Sequence, residues 1–143
     1  MFSEVNMHVL DVEDILDKGV AQESSLTDIE WPIYIVAFFE YIADAQSWDH
    51  FFTYFMYWLP KLKQTLKLAG DMQSLLILKD YEGHFSKLGV KFTSNEIDHF
   101  LTSASNEYLD SCPDWREEFE ACSIQRWSLI SIYYSSIGVE LKT

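Results

Sequence analysis

From Ile33 to Phe39 the chain runs through seven consecutive apolar residues, preceded by Trp31 and Pro32 and followed by Glu40, Tyr41 and Ile42. A run of that length covers about two helical turns, so a helix built from it is apolar on most of its circumference and must be wrapped by other elements. Pro32 suits the first turn of such a helix, where its missing amide would have no intrahelical partner in any case. The 143 residues are 48% hydrophobic, enough for the wrapping to come from within one domain spanning residues 1–143.

The remaining segments supply helices of the right kind. Ser47 is placed to cap a helix through Trp48, Phe51, Phe52, Phe55, Met56 and Leu59, which Pro60 kinks or ends. Lys61 to Ala69 resumes a helical pattern that Gly70 stops, and Asp71 caps a further one through Met72, Leu75, Leu78, Tyr81 and Phe85 before Gly89. Thr93 and Glu96 have capping-box spacing for a helix carrying Ile97, Phe100, Leu101, Ala104 and Tyr108. Pro113 opens another, through Trp115, Phe119 and Cys122. Before Gly19, Val9, Val12, Ile15 and Leu16 mark at most two turns, and the segment from Ile124 to Val139 reads equally as helix or strand. Five glycines and no alternating runs argue against an all-β fold. The expectation is an all-α fold, a single irregular bundle of about six helices with a C-terminal segment that is helix or β.

Charge is unevenly distributed along this chain. The net charge is −13, and residues 1–50 alone carry −10, against +1 for residues 51–100 and −4 for residues 101–143. Such a surplus repels nucleic acid and anionic membrane, so direct binding of either is disfavoured. No apolar run reaches the length of a membrane span, and the opening residues Met1 to Glu4 lack the basic and then apolar character of a signal peptide. Cys112 and Cys122, separated by a helical stretch and therefore about 15 Å apart, are read as free thiols. A cytoplasmic location follows.

A search for chemistry returns little. The glycines are too dispersed for a phosphate loop, and His8, His50, His84 and His99 never stand at ligand spacing with another His or Cys, so neither cofactor nor metal is expected. Asp49 beside His50 and Asp98 beside His99 point about 100° apart on a helix and form no dyad by sequence. No serine has the glycine setting of a nucleophile elbow. The reading is therefore a binding protein and not an enzyme. The aromatic run from Trp48 to Trp58 reads first as core, with Tyr54, Tyr57 or Trp58 as interface anchors.

The segment Ile33 to Tyr54, followed by Leu62, Leu66, Ala69, Gly70, Ile97, Asp98, Phe100 and Tyr108, resembles a small acidic helical family that includes bacterial DNA-mimic proteins. In size, acidity and lack of motifs the chain also resembles bacterial toxin-immunity proteins, including those of contact-dependent growth inhibition. Both resemblances imply carboxylates presented to the cationic groove or active site of a partner. The partner implied is a basic protein, a nuclease toxin, with monomer and homodimer both open. Asp11, Glu13, Asp14 and Asp17 form one candidate acidic strip for partner binding, and Asp114, Glu117 and Glu118 a second, with Tyr54 and Trp58 as anchors. The alternatives are a DNA-mimic inhibitor of a DNA-binding protein, and a small hydrolase whose carboxylate site would lie in a deep cleft lined by His50 or His99.

Overall fold

The computed structural model describes residues 8–45 and 48–143. In chain order it runs β1 (His8–Asp11), α1 (Val12–Ala21), α2 (Glu30–Ala45), α3 (Trp48–Tyr54), α4 (Leu59–Ala69), α5 (Met72–Lys87), α6 (Ser94–Ser103), α7 (Asn106–Ser111), α8 (Trp115–Ala121), α9 (Ser123–Ser136) and β2 (Val139–Lys142). The architecture is mostly helical, as the periodicity predicts, and a short parallel pair of strands joins the two ends of the described chain. Among the described residues no helix is long and apolar enough to cross a membrane.

Helix α2 is the axis around which the others pack. Ile33, Val36 and Phe39 are fully buried, and α1, α3 and α4 all lie against this helix. Phe39 meets Phe51 edge-on at 4.6 Å and Phe119 at 5.1 Å, which ties α2 to α3 and α8 through ring edges set against ring faces. Glu30 closes the start of α2. Its carboxylate accepts from the Thr27 amide at 2.9 Å while the Thr27 hydroxyl accepts from the Glu30 amide at 3.2 Å, and Lys18 reaches the same carboxylate at 2.8 Å. This reciprocal arrangement satisfies two otherwise orphaned amides.

Several expected boundaries move. Helix α1 continues past Gly19 to Ala21, because Asp11 caps its start and Gly19 lets the ring of Tyr34 lie directly on the α1 backbone. The aromatic helix ends at Tyr54. A 3-10 turn over Met56–Trp58 follows, and Pro60 sits in the first turn of α4, where it initiates a helix and does not terminate one. Gly70 ends α4 with a left-handed φ of 77°, a conformation that glycine takes without penalty. The predicted helix through Tyr108 breaks at Ala104, and Ser105 caps the separate α7. Helix α8 starts two residues after Pro113, with Asp114 as its cap. Residues Ser131 to Tyr134 are helical within α9, and only the chain after Gly138 is extended. These breaks give more helices than the expected six. Ser47, expected as a cap, and the residues from Met1 to Glu4 lie outside the described residues.

The sheet pairs β1 and β2 in parallel, with His8 opposite Val139 and Asp11 opposite Lys142. Parallel strands need a long crossover, and here all of α1 to α9 forms it.

Two predictions follow from local geometry. A Cβ on Gly19 would run into the Tyr34 ring, whereas one on Gly83 in α5 meets nothing within 4 Å. Gly19→Ala should therefore lose about 1–3 kcal/mol in urea unfolding, and Gly83→Ala should gain about 0.5–1 kcal/mol. Glu30 is penalised by burial, but the Lys18 ammonium and the Thr27 donors outweigh that and hold its carboxyl below the usual 4.5. Its contribution is thus present above that pH and lost below it. Glu30→Ala should cost about 1–2 kcal/mol at neutral pH, and the deficit should shrink in unfolding experiments carried out below pH 4.5.

Candidate functional site

The acidic residues singled out by sequence occupy two helix starts. The Asp11 carboxylate accepts from the amides of Glu13 at 2.9 Å and Asp14 at 3.2 Å, and Asp114 accepts from the Glu117 amide at 3.0 Å. Asp11 and Asp114 therefore hold α1 and α8 in place as caps. Glu13, Asp14 and Asp17 on α1, and Glu117 and Glu118 on α8, are exposed. The two strips sit on elements with different neighbours, α1 against α2 and β1, α8 against α5 and α9.

The two aromatic anchors separate. Tyr54 is 63% exposed at the end of α3, its ring 4.7 Å from that of His50. Trp58 is only 7% exposed, with Tyr34, Phe38 and Phe55 around its ring at 5.1–5.8 Å. It is a core residue and not an anchor, because the 3-10 turn after α3 rotates it back onto α2.

The bundle also contains a buried polar junction that has no local sequence signature. Arg126 of α9 is fully buried, and its guanidinium bonds Glu40 Oε2 of α2 at 2.6 Å, Ser74 Oγ of α5 at 2.9 Å and the Phe119 carbonyl of α8 at 3.1 Å. The same guanidinium lies 3.7 Å from the centre of the Phe119 ring. Glu40 also accepts from Ser123 Oγ at 2.9 Å and Trp127 Nε1 at 2.7 Å. Asp71 continues the chain of bonds, accepting from Ser74 Oγ at 2.5 Å. Arg126 and Glu40 are paired, and Asp71 is held by hydrogen bonds from the Ser74 hydroxyl and amide, so no charge at the junction is left without a partner group.

A second feature is a cavity of about 330 Å³ between the start of α3, the C-terminal half of α5, the end of α6, α7 and the start of α8. Trp48, Asp49, Tyr81, His84, Tyr108, Cys112, Asp114 and Trp115 contribute to its wall. The Tyr81 hydroxyl donates to Asp49 Oδ1 at 2.9 Å, and burial raises the Asp49 carboxyl above its ordinary value although that bond partly offsets it. Burial, with Cys112 beside it, pushes the Tyr108 phenol up to about 12. The phenol keeps its proton and is hydrogen-bonded to His84 Nε2. Cys112 Sγ stands 3.9 Å from the same nitrogen and donates instead to the Tyr108 carbonyl at 3.4 Å.

Sequence reasoning missed this cavity, since Asp49 and Tyr81 are 32 residues apart and His84 and Cys112 are 28 apart. The histidines it named for a hydrolytic cleft lie elsewhere: His99 is exposed on α6, and neither it nor His50 lines the cavity. Among the described residues no three His, Cys, Asp or Glu side chains gather as a metal ion requires. No family model, no curated protein and no solved structure matches the chain.

The polar junction yields a test of how the bundle is held. Arg126→Ala leaves Glu40 without its cation and Ser74 without its donor, so urea unfolding should show a loss of about 3–5 kcal/mol. A loss below about 1 kcal/mol, typical of an exposed pair, would mean that the junction is solvated.

Proposed function

We propose that this chain is a binding protein that neutralises a basic protein partner, an immunity protein to a nuclease toxin, using the carboxylates of α1 and α8. One observation carries the reading. Glu13, Asp14 and Asp17 of α1 and Glu117, Glu118 and Glu120 of α8 are exposed, and among the described residues no cation pairs with any of them. Four of the ten bases are engaged elsewhere: Lys18 with Glu30, Lys63 with Glu82, Arg126 with Glu40, and Arg116 with the Ala43 carbonyl at 3.3 Å. Unneutralised carboxylates on rigid helix starts attract a cationic surface and speed encounter with it. Tyr54, exposed at the end of α3, is available as an aromatic contact.

The length of the strips favours a plug over a DNA mimic. Residues 11–17 extend about 9 Å along the chain axis and residues 114–118 about 6 Å, whereas duplex DNA presents a charge about every 1.7 Å over an extended path. A compact cluster suits a concave cationic site. The cytoplasmic location and the absence of an enzymatic role belong to the same proposal.

The test is co-expression with a nuclease domain encoded beside this chain's gene, followed by association kinetics. The wild-type chain should protect growth. The combined reversal of Glu13, Asp14 and Asp17 to Lys should slow association about tenfold or more at low salt and much less at high salt. Unchanged association at low salt, for this variant and for the matching reversal of Glu117 and Glu118, would overturn the proposal.

A further inference from the structure

One side of this acidic molecule carries the opposite charge. An open groove of about 770 Å³ runs along α4 beside the first turn of α5, lined by Tyr57, Lys61, Lys63, Gln64, Lys67 and Leu75. Lys63 is bonded to Glu82 of α5 at 2.6 Å, whereas Lys61 and Lys67 are exposed and, among the described residues, form no ion pair. Lys79 follows Leu75 by four residues and precedes Glu82 by three, so it stands on the same face of α5, and it is exposed. Four of the ten bases in a chain of net charge −13 therefore face one way. Apolar surface accompanies them, since Tyr57 is 67% exposed and Leu75 is half-buried. Such a face suits an occupant that brings carboxylates together with an apolar side chain.

The chain itself carries that combination. On α1, Glu13, Asp17 and Val20 are spaced i, i+4 and i+7, which places them on one stripe, and all three are exposed. Lys18, the base on this helix, is turned about 100° from Asp17 and is bonded to Glu30 of α2. The stripe is about 10 Å long, as is the run from Pro60 to Lys67 along α4, so the two match in length as well as in charge. The other acidic helix, α8, exposes no large apolar side chain and fits the groove less well.

We propose that copies of this chain associate head to tail, the Glu13, Asp17 and Val20 stripe of one copy seating in the α4 and α5 groove of the next. The two surfaces differ, so the contact is heterologous and leaves a groove free at one end and an α1 free at the other. Repulsion between the net charges is largely screened beyond about 8 Å at physiological ionic strength, which leaves the opposite charges at the contact to decide. The inference concerns the chain alone and does not rest on the reading of a toxin partner. It adds that α1 is covered in the associated form, so a cationic partner competes with self-association.

The experiment is sedimentation equilibrium of the full chain at physiological ionic strength. The weight-average mass should rise above that of the monomer at concentrations below about 1 mM. Lys61→Gln with Lys67→Gln should weaken association about threefold or more, and so should Glu13→Gln with Asp17→Asn, although the latter makes the net charge less negative. Lys87→Gln with Lys91→Gln, which removes two lysines outside the groove, should leave association unchanged. Mixed together, the groove variant and the α1 variant should form a one-to-one complex of wild-type affinity, because each supplies the surface that the other lacks. Val20→Ser leaves every charge in place and should also weaken association, which keeps the test open if a charge variant does not fold. The proposal is overturned if the wild-type chain stays monomeric up to about 1 mM, if the Lys87 and Lys91 control weakens association as much as the groove variant, or if the two complementary variants form no complex. A monomeric chain whose groove binds a polyglutamate peptide would assign the groove to a foreign acidic partner and overturn it equally.

Discussion

The contact on which most of this structure depends is the buried pairing of Arg126 with Glu40. It joins α9 to α2, and through Ser74 and the Phe119 carbonyl it reaches α5 and α8, so four helices meet at one guanidinium. Apolar packing alone would let α9 slide or rotate against α2, because hydrophobic contact is non-directional. A planar donor group with several fixed acceptors permits far fewer arrangements. Glu40 is the first charged residue after the apolar run that defines α2, so the residue ending that run also sets the rotation of the helix about its axis. The stacking of Phe119 beneath the guanidinium adds a cation–π contact at 3.7 Å and fixes α8 from its apolar side.

Around that junction the aromatic rings do the space-filling. Phe39, Trp48, Phe51, Phe52, Tyr81 and Phe119 form a continuous set of edge and face contacts from α2 through α3 to α5 and α8. Large flat groups fill a core efficiently only where their polar handles find partners. Trp115 and Trp127 have them, and Trp48 does not. The cavity lies where this ring system meets α7, a helix of about one and a half turns with no fully buried residue.

How far the sequence predicts this structure depends on whether the determining interactions are local. The central α2, the Gly70 stop, the Asp71 cap and the Thr93 cap follow from neighbours within four residues, and each lies where the spacing puts it. The capping pair of Thr27 and Glu30 is equally local, three residues apart in the order of a capping box. What local pattern cannot supply is the partner of a side chain far along the chain. Arg126 and Glu40 are separated by 86 residues, and Arg126 alone reads as a solvated base in an acidic segment. The strand β1 is similarly hidden, because its four residues gain pairing only from β2 at the other end of the described chain. Which of the aromatic residues at the end of this run faces the core is hidden for the same reason: one turn of 3-10 helix, too short to leave a periodic signature, decides which way the Trp58 ring faces.

The charge distribution gains a sharper meaning once these partners are known. With 10 Lys and Arg against 23 Asp and Glu, every base held inside or across the bundle leaves one fewer to neutralise the surface. Arg126 is fully buried, and Lys18 and Lys63 bridge between helices, so these three bases are already paired within the fold. Among the described residues the exposed carboxylates of α1 and α8 form no ion pair. Self-repulsion among them disfavours the compact state, and the buried junction and the ring system must offset it. A cationic partner seated on those helices would remove that repulsion, so the arrangement that keeps the acids exposed in the free chain also makes their neutralisation favourable on binding.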